Sequence, residues 1–391
     1  RPQDPSHGDA ATPVALQCAK KAGKSPREIA DRLVEVLSAE SDIEKAEVAG
    51  PGYVNIWLTT DALIRTLGTV RSACTAKVKR ENEAPVIIEY SQPNIAKPLG
   101  VHHILSTVIG QSLANVSRHL GYNTVTINHL GDWGTQFGKL AVALEKWGEK
   151  PVDVCTLDDL LELYVRFHKE VENDPTLEDA GREAFRKLEE GDPDLRKFWQ
   201  SVVDITMQEM QTLYDRLHIT FDYTQGESFY EDKMQPVINE GKEKGVFIEG
   251  EGGALIVEFS EESNMPPAIV VKADGATIYL TRDLATILYR INTIKPQAIS
   301  YVVDVAQSLH FKQLFATVEK LGWDLPELNH VVFGRMSFAD KSMSTRKGNI
   351  LKLQDVLDEA NKRAVAVIAE HGEKIQTDDA DNLAEMMGQG A

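Results

Sequence analysis

Three consecutive apolar residues, Val86-Ile87-Ile88, are followed by a polar, glycine-bearing loop and then by Ile104, Leu105, Val108, Ile109, Leu113 and Val116, which recur on one helical face. Val125 and Ile127 begin the next apolar stretch. A short, uninterrupted apolar run suits a strand buried on both faces, and a helix between two such runs makes a βαβ unit. The same order returns late in the chain, with a strand over 299–305, a helix over 309–321 and a strand over 331–333. Two such units predict an α/β fold built on a doubly wound parallel sheet, which binds ligands outside the carboxyl ends of its strands.

The flanking segments read differently. Residues 1–80 combine helical patterns (Val14, Leu16, Ala19; Ile29, Leu33, Val36, Leu37) with a strand signal at Val54, Ile56 and Leu58 after Pro51-Gly52. A small α+β domain is expected there, ending in the polar, turn-prone KVKRENEAP, and residues 81–391 form the second domain. Residues 149–215 are charged and carry Leu160, Leu161, Leu163, Tyr164 and Phe167 at helical spacing, which predicts a helical insertion. A last helical pattern begins near Leu353.

Composition narrows the functional classes. With 42% hydrophobic and 26% charged residues, the chain has the make-up of a soluble globular protein. No apolar run approaches the roughly 20 residues of a membrane span, and the first residues lack the apolar core of a signal peptide, so a cytoplasmic protein is expected. Cys18, Cys74 and Cys155 lie far apart, which argues against disulfides and structural zinc. A net charge of −18 repels polyanions at long range. Any RNA contact therefore needs local basic patches, such as Lys20, Lys21, Lys24 and Arg27 or Lys77, Lys79 and Arg80; each is equally readable as a solvated face.

Several segments can carry chemistry. EYSQPNIAKPLGVHHILSTVIGQ, residues 89–111, sets polar residues between a buried strand and a helix start, where backbone N–H groups, Lys97 and His102 or His103 can meet phosphate oxygens. An ordinary strand-to-helix connection fits the same pattern. Adjacent histidines diverge on a helix, so the pair is not read as a metal site. Glu89 ends an apolar strand and calls for a cation, such as a guanidinium. NHLGDWGTQFG, residues 128–138, holds Asp132 and Trp133 between glycines; the indole can stack on a base or ribose, or serve as a core residue in a structural turn. Tyr279 and Asp283 stand four apart on one helical face and can flank a cation, unless Asp283 simply pairs with Arg282 or Arg290 of its own helix. Asp304, Gln307 and His310 follow the late strand, where Gln307 or Ser308 can also act as a helix cap. DKSMSTRKGN, residues 340–349, is a cationic loop suited to a triphosphate or is merely basic surface.

Together and in this order, these segments resemble the arginyl-tRNA synthetase family over nearly the whole chain. EYSQPNIAKP, GDWGTQFG, YDRLHITFDYTQGES, YLTRD, VVDVAQSLHFKQL and MSTRKG are similar to landmarks of its catalytic domain, and HGDAATPVALQCAKKAGKSPREIA with VAGPGYVNIWL to its N-terminal domain. The resemblance implies a Rossmann-like catalytic domain of the HIGH superfamily and a first domain that contacts tRNA. It implies a ligase that activates arginine with ATP and Mg2+ and transfers it to tRNA(Arg), in a chain expected to be monomeric. Its site roles carry over to particular residues. Glu89, Tyr279 and Asp283 would hold the guanidinium, and Asn94 and Gln307 the α-amino and carboxylate groups. Lys97, His102 and His103 would be catalytic and hold ATP with Gly131, Asp132, Met343, Ser344, Arg346 and Lys347, and Trp133 and Gly134 would meet the tRNA 3′ end. No protein-bound metal site is implied.

Two departures from the family pattern stand out. The HxGH signature reads Gly100-Val101-His102-His103, keeping its second histidine alone, and the KMSK-like loop reads Ser342-Met343-Ser344-Thr345 without either lysine. Lys97 is the expected compensating charge. The sequence also stops where the family's helical anticodon-binding domain would begin, so a truncated, noncatalytic amino-acid or tRNA-binding module is the competing expectation. An enzyme of the same superfamily acting on a small acceptor is a third.

Overall fold

The computed structural model describes residues 2, 4–75, 80, 83–334, 351–371 and 377–390. Two compact units result, Arg1–Val78 and Lys79–Ala391.

In the first unit, β1 (Ala10–Thr12), β2 (Ile43–Ala49) and β3 (Tyr53–Leu58) make an antiparallel sheet in the order β1-β3-β2, with helices α1 (Val14–Ala22), α2 (Pro26–Leu37) and α3 (Thr60–Thr75). Local signals set the first two helices. Gly23 closes α1 in a left-handed conformation, and Ser25 starts α2 with a reciprocal cap. Ser25 Oγ accepts from Glu28 N at 3.2 Å while Glu28 Oε2 accepts from Ser25 N at 2.9 Å, and Pro26 needs no N–H partner at the first helical position. Ala15, Ala30 and Val54 form the small core.

The second unit is built on a parallel sheet of β4 (Val86–Glu89), β5 (Thr124–Asn128), β6 (Tyr223–Thr224), β10 (Ala298–Asp304) and β11 (Glu327–Phe333), in the order β11-β10-β4-β5-β6. From β4 the chain passes through α4 (Ile104–His119) to β5 on one side, and β10 later adds on the other. The strand order therefore reverses between β4 and β10, and a crevice at their carboxyl ends follows from the topology. Both faces of the sheet are covered. Ile87, Ile127 and Ile299 pack into one core with α9 (Met234–Glu243), α10 (Tyr279–Thr293) and α11 (Ser308–Leu321). Ile88, Tyr90 and Val302 pack into another with α12 (Leu353–Glu370) and the end of α8 (Pro193–Arg216). The unbroken Val86-Ile87-Ile88 run reflects this double burial.

Between β5 and β6 lie α5 (Thr135–Trp147), α6 (Leu157–Val171), α7 (Thr176–Glu189) and α8. Glycines bring α5 and α7 together: a Cβ on Gly138 would lie 2.1 Å from the Gly181 carbonyl oxygen. A second, antiparallel sheet of β7 (Ile248–Glu249), β8 (Leu255–Val257) and β9 (Ala268–Val271) precedes α10. Two- to four-residue strands show too little alternation to be read from sequence. α13 (Ala380–Gly390) packs on α12 through Ala384 against Ala364 and Ile368.

Tyr90 locks β4 to α4. Its hydroxyl donates to the Thr220 carbonyl at 2.7 Å, and its ring lies where a Cβ on Gly110 would be, 2.1 Å away. Alanine normally stabilises a helix relative to glycine by about 1 kcal/mol. Gly110→Ala is instead expected to destabilise this unit by about 1–3 kcal/mol through overpacking, measured by urea denaturation.

Candidate active site

The loop leaving β4 holds three residues in the left-handed region: Ser91 at φ 74°, Gln92 at φ 53° and Ala96 at φ 63°. Such conformations cost non-glycine residues on the order of 1–3 kcal/mol each unless the surroundings over-determine them. Here each N–H is claimed by a side chain from another element. Ser91 N donates to Ser106 Oγ (3.0 Å), Gln92 N to Asn128 Oδ1 (3.2 Å) and Ala96 N to Thr206 Oγ1 (3.1 Å). Buried hydroxyls extend the network. Thr107 Oγ1 donates to Ser91 Oγ at 2.9 Å, Ser91 Oγ meets Tyr214 OH at 2.8 Å, and Asn128 Nδ2 donates to Tyr214 OH at 3.1 Å.

This loop is stitched to the glycine-rich one. Gly131 N donates to Pro93 O (3.0 Å), and Ile95 N donates to Gly131 O (3.1 Å). A Cβ on Gly131 would fall 2.3 Å from Asn94 Oδ1, so a larger residue there would push the Asn94 amide aside. Asn94 itself is exposed on this double loop.

Val101-His102-His103 forms a short 3-10 turn leading into α4. His103 Nδ1 accepts the Gly100 N–H at 3.1 Å. Burial, aided by His102 and Lys97, pulls its pKa down to about 3, so near neutrality His103 is uncharged and Nε2 carries the proton. It can donate one hydrogen bond to an anion but brings no positive charge. His102 is exposed, its ring 3.9 Å from that of His103, and the Lys97 ammonium lies 5.2 Å from the Tyr164 ring centroid.

In the GDWG loop, burial corrects the open-face reading of Trp133 and gives Asp132 a structural partner. Trp133 is only 3% exposed, packed edge-on against Phe185 and Trp199 (centroids 5.6 Å each) with the Arg196 guanidinium 4.7 Å from its ring. An interior indole has no open face for the tRNA 3′ end; the core-Trp reading holds. Asp132 is buried and braces the loop: Oδ1 accepts Ser228 N at 2.8 Å and Oδ2 accepts Ser228 Oγ at 2.6 Å. Its carboxylate is thus committed to Ser228 within the protein. Gly134, at φ 147°, supplies the turn into α5.

Charges on α10 organise the far wall. Arg290 is wholly buried and pairs with Glu89, which lies opposite Tyr301 in the β4–β10 register. Gln92 Nε2 donates to the other Glu89 oxygen at 2.5 Å. Burial disfavours the Arg290 charge, but Glu89 and the hydroxyls of Tyr230 and Tyr301 outweigh it and hold its pKa above the ordinary value. Glu89 does meet a guanidinium, and within the described chain that guanidinium is the protein's own Arg290. Arg282 lies 3.5 Å from Glu227. Asp283 pairs with neither helix neighbour and contacts His310 Nε2 of α11 at 2.6 Å. Tyr279, 69% exposed, stands one turn before it. Gln307 is exposed at the start of α11, where Asp304 Oδ1, rather than Gln307 or Ser308, accepts the Ala306 N–H at 2.7 Å. Met343, Ser344, Arg346 and Lys347 lie outside the described residues, as do Lys77 and Lys79.

Glu227 was not singled out from sequence, and Arg290 was read only as a possible surface partner of Asp283. Arg290 does carry a signal: it shares a helical face with Ile287 and Ile294, and a charge at an apolar position needs a buried counter-charge. Glu227 lies within the YDRLHITFDYTQGES string but carries no local sign of burial, because its burial comes from Asp132 and α10, far away in sequence.

A parallel sheet whose strand order reverses beside a loop of the PNIAKP and HIGH-like type defines a class I aminoacyl-tRNA synthetase catalytic domain. The family model described as "tRNA synthetases class I (R), catalytic domain" matches residues 69–391, and that of the "Arginyl tRNA synthetase N terminal domain" matches residues 1–58. An arginine–tRNA ligase of Exiguobacterium sp. is 43% identical, with 100% of this chain and 69% of that protein covered. The arginyl-tRNA synthetase structures of Thermus thermophilus (TM-score 0.75, 22% identity, 100% of this chain and 69% of that one) and Plasmodium falciparum (TM-score 0.71, 24% identity, 100% and 68%) share its fold. The chain belongs to the arginyl-tRNA synthetase family, whose relatives at this level of identity are arginine–tRNA ligases. It spans about 69% of their length.

Two outcomes follow from the buried charges. Arg290→Met leaves the Glu89 carboxylate unpaired and is expected to cost about 3–5 kcal/mol, with Glu89→Gln in the same chain recovering most of it, as measured by denaturant unfolding. Burial, outweighing Arg282 and reinforced by Asp283 and Asp132, pushes the Glu227 carboxyl from 4.5 up to about 8. Below the first value the group is protonated folded or unfolded; between the two only the unfolded chain releases the proton. The Glu227 contribution to stability therefore falls as pH rises through that window and levels off above it. Glu227→Gln is expected to remove that decline, seen as a smaller loss of unfolding free energy between pH 5 and pH 8 than in the native chain.

Proposed function

We propose that the residues at the carboxyl ends of β4 and β10 carry out arginine activation in this ligase. The observation that carries the reading is the set of paired charges on one helix. α10 carries exposed Tyr279 one turn before Asp283, and the same helix reaches Glu89 through Arg290, which supports a site where a delocalised cation meets a carboxylate it can hold. Asp283 and Tyr279 take the guanidinium, and Glu89, shared with Arg290, adds a second negative charge. Asn94 and Gln307, both exposed at their loop ends, orient the α-amino and carboxylate groups.

ATP is the second substrate. The backbone N–H groups at the start of α4, the His103 Nε2–H and the Lys97 ammonium face its phosphates; Gly131 gives the adenosine room, and Arg346 and Lys347 add charge. The arginine carboxylate oxygen attacks the α-phosphorus, the bond to pyrophosphate breaks, and the aminoacyl-adenylate remains. A 3′-terminal hydroxyl of tRNA(Arg) then attacks the carbonyl carbon and AMP leaves. No protein nucleophile takes part; positioning and charge neutralisation lower the barrier. Mg2+ would accompany the nucleotide. Among the described residues no group of three or more His, Cys, Asp or Glu side chains could hold a metal. No described helix is long and apolar enough to cross a membrane. The first unit serves as the tRNA-contacting domain, with residues 81–391 catalytic.

With His103 uncharged in the HIGH-like turn, Lys97 is the cation on which pyrophosphate departure depends. Lys97→Ala is expected to lower arginine-dependent pyrophosphate exchange, assayed with tRNA, by at least ~100-fold. Exchange at the native rate would overturn the role given to Lys97.

A further inference from the structure

We propose that His310 is a positioning residue for arginine binding: its imidazolium occupies Asp283 until the substrate guanidinium replaces it, so that protons and arginine compete for one carboxylate. This rests on the reading of Asp283 as the guanidinium anchor and goes beyond it by naming what holds that anchor in the empty site.

The argument starts from how the carboxylates around α10 are matched. Glu89 is paired with Arg290 and Glu227 with Arg282. Guanidinium groups keep their charge at any working pH, so neither slot opens by deprotonation. Asp283 is paired with His310 at 2.6 Å, and an imidazole loses its charge near neutrality. Of these three pairs it is the one with a conditional partner, and it is also the one beside exposed Tyr279. An incoming guanidinium can enter this slot without breaking a permanent ion pair.

The surroundings make His310 the group that titrates. Burial pulls its pKa down, but the hydrogen bond and charge of Asp283 outweigh burial and raise it above the ordinary value. On β11, His330 stacks on Phe311 (4.3 Å) and contacts the Val303 carbonyl through Nε2 at 3.1 Å. Burial lowers the His330 pKa, with His310 adding to the lowering and Asp304 opposing it. From the turn after β6, Glu227 faces Asp283 and is pushed up to about 8; from β10, the Tyr301 hydroxyl, raised by burial, faces it too. None of these brings a competing positive charge to Asp283 near neutrality. Arginine keeps its own charge throughout, and Glu227 ionises within the same range, so the part of the pH dependence that belongs to the His310 cation is read with Glu227 replaced by glutamine.

Calorimetric titration of L-arginine into the chain at pH 6, 7 and 8 tests this. Affinity is expected to weaken toward pH 6, by up to ~10-fold per unit below the imidazole pKa. Binding near neutrality should release a proton, detected by repeating the titration in buffers of different ionisation enthalpy. In a Glu227→Gln background, which removes the second titrating group, adding His310→Gln should leave the affinity varying by no more than about twofold over the same range, and the proton release should vanish. A flat native profile, or a variant that keeps the native slope or weakens equally at every pH, would overturn the proposal. Asp283→Asn separates the two layers. Unchanged arginine affinity there sinks the anchor itself, whereas lost affinity together with an unaltered slope in His310→Gln sinks only the competition. Should His310→Gln fail to fold, the His310 imidazole resonance of the native chain decides: saturating arginine must lower its pKa, and no movement rejects the idea.

Discussion

The Arg290–Glu89 pair is the interaction around which the catalytic unit is arranged. A guanidinium with no exposed surface cannot remain charged in an apolar interior without a carboxylate beside it, and the carboxylate here ends the strand at which the sheet order reverses. α10 is thereby held against β4 and β10 in one rotation about its axis, since a turn of the helix would leave two charges stranded. That rotation directs Arg282 to Glu227 and Asp283 to His310. The chemistry of the crevice depends on charges that are paired before any substrate arrives.

The second constraint is the loop after β4. Three non-glycine residues in left-handed conformations would relax if their N–H groups were free, yet Ser106, Asn128 and Thr206 hold them from three different elements. The result is a loop that is strained in its backbone but saturated in its hydrogen bonds, with Asn94 presented at its tip against Gly131. Rigid presentation of this kind is what positional catalysis requires, because adenylate formation has no covalent enzyme intermediate to steer it.

Much of this was legible in advance where the signal is local. The buried strand at 86–88, the amphipathic face of 104–116, the capped start of α2 and the charged helices between β5 and β6 all follow from spacing and from side chains that act on their own neighbourhood. Trp133 was ambiguous: an indole between two glycines looks the same in sequence whether its face is open or filled by Phe185 and Trp199. The HIGH-like histidines suggested positive charge, but His103 is neutral because burial, which no short window of sequence records, dominates its protonation. Glu227 stood in the YDRLHITFDYTQGES string but gave no local sign of burial, being buried by partners about 55 to 95 positions away.

The sequence by itself determined the kind of fold, the order of its elements and the family, because hydrophobic period, turn residues and motif strings are properties of contiguous residues. The tertiary structure alone decided which charge meets which. Asp283 had two arginines within reach on its own helix and took neither; those guanidinium groups went to Glu89 and Glu227, and a histidine from the next helix took Asp283. Pairing inside a protein is settled by desolvation and packing geometry, which require the most deeply buried cation to take the most deeply buried carboxylate and leave the conditional partner at the mouth of the site.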